Sequence, residues 1–256
     1  MAPDYSSPQE MLKQQIKNLY NQVKDLNCNN TTEILKTNAV VERLLTQYRE
    51  HPSLLILQTR LAILNSQEQS ARAFANRVWE VGGNIDISFE KMYLDDLMNL
   101  GLLEMALILI KPRFENITEG LKNFPLEMIK FAIMTGSVPL LNKIILNGND
   151  NSVYKALSEF ADVYQQNKYE EHFKNIQKIA LDTFGKDMCA YDYNLYTNRG
   201  FTDLEIVIYF SNYNLELKRY HILLDGKITG YFLTSGAQRI HNLNFVMKNI
   251  KDHPKF

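Results

Sequence analysis

The sequence predicts a mainly α protein with a small α+β part: an α-solenoid of antiparallel helix pairs followed by a C-terminal antiparallel sheet domain. Three observations carry that prediction. Gly101 and Gly136 lie 35 residues apart, each in a small-residue turn between two apolar helical patterns. After Gly185 the hydrophobic period changes from about 3.6 to about 2. Asp225-Gly226 then sits between alternating segments, a strong short signal for a hairpin because both turn residues tolerate positive φ. The expected domains are residues 1–185 and residues 186–256.

The elements follow from pattern and punctuation. Gln9–Leu26 carries Met11, Ile16, Leu19, Tyr20, Val23 and Leu26 on one stripe, an amphipathic helix. The Asn/Thr cluster at 27–32 is a turn with a threonine placed to cap the next helix. Asn38–Glu50 has helical spacing, and His51-Pro52 ends it because a residue before proline avoids the helical region. Ser53–Leu64 is apolar on three sides and should be a buried helix. Gln69–Val81 follows, with Phe74 and Trp79 expected on its inner side, and Gly82-Gly83 stops it. Ser88 starts the helix through Leu94, and Leu102–Ile110, closed by Pro112, is its partner. Asn123–Thr135 with Val138–Asn147, and Ser152–Gln166 with Tyr169–Phe184, make the next pairs. Met188–Tyr196 and Asp203–Ser211 alternate as strands. Leu217–Leu224 and Lys227–Thr234 are expected to pair across Asp225-Gly226, and Ile240, Leu243, Phe245, Val246 and Ile250 suggest a final helix.

Stepping 35 residues back from Gly101 reaches Ser66; 31 residues beyond Gly136 lies Asn167. Five residues after each turn stand Ala71, Ala106, Leu141 and His172, the first two small, as close helix crossings require. Gly101-Leu102-Leu103-Glu104-Met105-Ala106 and Asn167-Lys168-Tyr169-Glu170-Glu171-His172 resemble the G-x-Y-x-x-A turn of the tetratricopeptide family, with Asn167 at the glycine and His172 at the alanine position. Residues 38–184 therefore resemble a degenerate tetratricopeptide-like array. That resemblance implies a groove lined by first helices, in which Arg60, Lys91, Asp95, Lys130 and Tyr164 are the candidate partner-binding residues. They are expected to be solvent-accessible on one concave surface. The function expected is a non-catalytic scaffold or adaptor that holds a protein or peptide.

Composition bounds the alternatives. Lys+Arg 28 against Asp+Glu 29 gives a net charge of −1, which selects neither nucleic acid nor an anionic membrane. Tyrosines crowd the last third, yet that region is barely basic and has no RNA-binding motif, so nucleic acid is not an expected ligand. Cys28 and Cys189 form no disulfide framework or zinc pattern. No apolar run approaches the roughly 18 residues of a membrane span. The first ten residues lack a basic stretch and an apolar core, so no signal peptide is expected and the setting expected is cytoplasmic. The five histidines show no metal-ligand spacing, and no nucleotide or cofactor motif is present, so neither metal nor cofactor is expected. The alternative function is an enzyme or toxin-like effector with a polar site on the sheet domain. Its acid–base candidates are Asp192, Arg219, His221, Arg239 and His241. Both faces of the expected hairpin are substantially apolar. Its own helices would cover one, and the solenoid end or a second subunit the other, which makes a homodimer through the C-terminal sheet one of the expected partners.

Overall fold

The computed structural model describes residues 7–148, 152–185, 187–198, 201–210, 216–236 and 242–253. Two compact units divide it: residues 1–96 with 250–256, and residues 97–249. The boundary expected at Gly185 falls inside the second unit.

In the first unit, α1 (Pro8–Lys24) begins at a reciprocal cap. The Ser7 hydroxyl accepts from the Glu10 N–H, and the Glu10 carboxylate accepts from the Ser7 N–H at 2.7 Å. α2 (Thr31–Gln47) follows the Asn/Thr turn. α3 (Pro52–Leu64) starts on proline, whose missing N–H costs nothing at a first helical position. It is buried on nearly every side, with α1, α2 and α4 (Glu68–Val81) packed around it. Two of its polar side chains are tied down: the Gln58 amide donates to Asn38 Oδ1 at 2.8 Å and the Thr59 hydroxyl to the Leu55 carbonyl at 2.9 Å. α4 turns Ala71, Ala75 and Val78 inward, so small residues meet the crowded α3. Trp79 lies one position off that stripe and is 39% exposed, which corrects its expected place on the inner side.

α5 (Ile87–Asn99) spans the division between the units. In the second unit, α6 (Leu103–Glu115) continues one turn past its expected stop because the chain takes Pro112 inside the helix. α7 (Ile117–Asn123), a short helix with no counterpart in the sequence pattern, leads to α8 (Pro125–Met134). α9 (Val138–Asn147), α10 (Ser152–Gln166) and α11 (Glu170–Phe184) complete the helical run. No strand occurs between residues 38 and 184 among the described residues.

Four joints in this run are built alike. Ser66, Gly101, Gly136 and Lys168 each take positive φ, between 56° and 68°. At each joint that residue's N–H donates three residues back. The next N–H donates five back: Gln67 to Ala62, Leu102 to Leu97, Ser137 to Ala132 and Tyr169 to Tyr164, all at 2.8–2.9 Å. This is the Schellman closure of a helix C-terminus. At Gly136 the missing side chain also admits α11, since a Cβ there would stand 2.6 Å from the Lys174 Cα. The last joint is centred on Lys168 rather than Asn167. Phe173, not His172, therefore takes the packing position shared by Ala71, Ala106 and Leu141, and all four are fully buried.

After Gly185 the chain forms β1 (Met188–Asn198) and β2 (Phe201–Phe210), an antiparallel pair matched from Met188↔Phe210 to Asn198↔Phe201. α10 packs on both. The next segment differs from expectation. Leu217–Thr234 is not a hairpin but lies within α12 (Glu216–Ser235), and Asp225-Gly226 falls within it without positive φ. The reason is a helical period hidden under apparent alternation. His221, Leu224, Ile228 and Phe232 turn inward at three- and four-residue steps, while Ile222 and Leu233 face out. The expected final helix is also corrected: Leu243–Asn249 is a strand, β3, parallel to β2 in register Leu204↔Leu243 to Phe210↔Asn249. The sheet, in order β1-β2-β3, is thus mixed rather than antiparallel. Parallel neighbours need a long crossover, and α12 supplies it, packing on α11 and β3.

Candidate functional site

The five groove candidates fall in different surroundings. In the first unit Arg60 Nη2 donates to Asp95 Oδ2 at 2.9 Å, and its Nε lies 2.6 Å from Asp96 Oδ1. The Arg60 side chain is 15% exposed and Asp96 is fully buried. Burial alone would lower the guanidinium pKa, but Asp96 and Asp95 together outweigh it and hold the pKa above its ordinary value. Arg60 is therefore a fixed, internally neutralised charge rather than an open cation. Asp96, absent from the sequence candidates, is the core of this cluster. Its signal was the Asp95-Asp96 pair inside the otherwise apolar run Leu94–Leu100, where two charges in a buried helix need a counter-charge. Lys91 is partly exposed.

In the second unit, Lys130 Nζ donates at 2.7 Å to Asn99 Oδ1, which also accepts the Tyr191 N–H at 3.2 Å. Asn99 is fully buried, so Lys130 helps tie α8 and β1 to the end of α5. Leu126 lies one turn before Lys130 and is 59% exposed. Tyr164 is fully buried in an aromatic cluster with Phe160, Tyr169 and Phe173, which corrects its expected exposure.

The acid–base candidates do not gather into one cluster among the described residues. Asp192 lies on β1 opposite Val207, its carboxylate accepting the Tyr193 N–H at 2.9 Å. Arg219 is exposed on α12. Arg239 and His241 lie outside the described residues. His221 borders a cavity of about 140 Å³ between α11, α12 and β3, lined also by Ile176, Leu224, Asp225, Ile228, Phe232, Leu243, Asn244 and Phe245. Asp225, one helical turn beyond His221, is the carboxylate on that wall. Sequence pattern could not place it there while Asp225 was read as a turn residue.

Beside this cavity, His172 Nδ1 lies 2.6 Å from the Tyr231 hydroxyl, which also accepts from the Asn175 amide at 3.1 Å. These contacts fasten α12 to α11. No cluster of three His, Cys, Asp or Glu side chains suited to a metal occurs among the described residues. No described helix is long and apolar enough to cross a membrane. Both cysteines are buried, and burial pushes the Cys28 thiol up to about 11, which keeps it protonated and unreactive at neutral pH. Comparison with protein-family models, curated proteins and solved structures finds no match.

Proposed function

We propose that this chain is a non-catalytic binding module in which a tetratricopeptide-like helical array holds a protein or peptide. One observation carries the reading: the helix joints at Ser66, Gly101, Gly136 and Lys168 each place one residue at positive φ and repeat the same pair of closing hydrogen bonds. That closure is common at helix ends, but its recurrence at steps of 35, 35 and 32 residues fits an array whose surface is built one helix pair at a time. The cytoplasm is the setting this reading assigns, in keeping with a sequence of only two cysteines that show no disulfide framework.

The partner is assigned to the first-helix face that carries Leu126 and Lys130. An exposed leucine one turn from a lysine offers an apolar anchor beside a cation, the combination that takes a peptide with an apolar and an acidic residue close together. The test places a photo-crosslinking residue at position 126 and, as a control, at position 146, where Leu146 is also highly exposed. One specific adduct from position 126 alone, weakened on adding Lys130→Gln, which removes the charge but keeps a donor for Asn99, is the expected result. Equal adducts from both positions would refute the assignment.

A further inference from the structure

The cavity beside His221 has the dimensions and chemistry of a ligand site. Leu224 is buried, Phe232 nearly so and Ile228 half-buried, and they form an apolar side, while Asp225 and Asn244 are exposed. The cavity is partly open to solvent, and its volume, about 140 Å³, is enough for one six-membered ring. The lining includes one carboxylate, Asp225, and neither lysine nor arginine. His221 and Asp225 stand one turn apart on the same helix face, so hydrogen-bonding groups converge where the apolar wall ends.

We propose that this cavity binds a small organic cation: one aromatic or aliphatic ring carrying a protonated amine. The ring lies against Leu224, Ile228 and Phe232, and the amine meets the Asp225 carboxylate. An anion would meet Asp225 with neither lysine nor arginine in the lining to offset it. A neutral ring would gain the apolar contacts but not the ion pair. Phe232 and Phe245 add ring faces that favour a nearby cation over an anion. The assignment is independent of the partner-binding face on α8.

The experiment is a ¹H–¹⁵N NMR titration of the full chain with three probes of equal size: benzylamine, benzyl alcohol and benzoate. Benzylamine should give saturable shifts at Leu224, Ile228 and Phe245 with an affinity of about millimolar, the range open to a ligand of about eight heavy atoms. Benzyl alcohol should bind more weakly and benzoate not at all. Asp225→Asn should weaken benzylamine about tenfold, just below the range for a hydrogen bond to a charged group because Asp225 is exposed, and leave benzyl alcohol unchanged. Ile228→Trp should fill the space and remove both responses, its fold checked by circular dichroism. The proposal is overturned if benzoate or benzyl alcohol binds as tightly as benzylamine, if Asp225→Asn changes nothing, or if no probe gives a saturable shift.

Discussion

Gly226 and Gly101 are one residue type under opposite constraints. Gly226 lies inside α12, and a Cβ built on it meets nothing within 4 Å. Gly226→Ala should therefore stabilise the protein by about 0.5–1 kcal/mol, through helix propensity and a less flexible unfolded chain. Gly101 sits at φ 68°, and its Cβ would stand 2.8 Å from the Gly185 carbonyl oxygen. Gly101→Ala should cost more than about 1 kcal/mol. Urea midpoints of the two variants should move in opposite directions. Asp96 poses a third case. Asp96→Ala leaves Arg60 short of one of its two carboxylates in a buried place, and unfolding free energy should fall by about 3–5 kcal/mol. His221→Ala should leave crosslinking from position 126 unchanged; an enzymatic turnover that vanished with His221 would instead support the effector reading.

At the scale of elements, α4 shows how much one step of phase matters. Ala75 faces α3 and Trp79 faces out, so Ala75→Leu should overpack the contact and cost about 1–3 kcal/mol, while Trp79→Ala should cost less than about 1 kcal/mol. A larger loss at Trp79 than at Ala75 would invert the assigned phase. Helices up to α11, the short α7 excepted, were legible because glycine, proline and asparagine clusters stop them at regular intervals, and β1 and β2 because alternation there is unbroken. α12 was not, because Lys218–Leu224 alternates well enough to resemble a strand and Asp-Gly is a strong turn signal. Only packing on α11 and β3 distinguishes the two readings. β3 was missed because seven residues are too few to separate a helical from a strand period. The groove candidates were chosen by repeat frame alone, which fixes a position along a helix but not whether a neighbour neutralises the charge found there. Arg60 is the instance.

For the whole molecule, buried hydroxyl and thiol groups set the alkaline limit. Tyr93, Tyr164 and Tyr191 have their phenols raised above the ordinary 10.0, chiefly by burial, and Cys28 is raised from 9.0 to about 11. A group whose folded pKa lies above its unfolded value contributes stability that is whole below the unfolded value and lost as pH rises through the folded one. Stability should hold to about pH 9 and then fall, each buried phenol contributing about 1.4 kcal/mol per pH unit above about 10. Urea midpoints at pH 8 and pH 10.5 test the slope. The Tyr164 hydroxyl meets no hydrogen-bond partner among the described residues, so Tyr164→Phe should be near neutral at pH 8 and should flatten the alkaline decline. An unchanged slope would show that this phenol ionises in the folded chain.

The four like-built joints differ in one respect. Two use glycine; the other two force Ser66 and Lys168 into the left-handed region, where a side chain costs about 1–2 kcal/mol. Their closing hydrogen bonds should therefore break more often in solvent fluctuations. In heavy water the amide protons of Gln67 and Tyr169 should be replaced by deuterium sooner than those of Leu102 and Ser137, although all four amides make bonds of 2.8–2.9 Å. The chain thus carries two joints that breathe and two that stay shut. Ser66→Gly or Lys168→Gly should slow the exchange at its own joint alone.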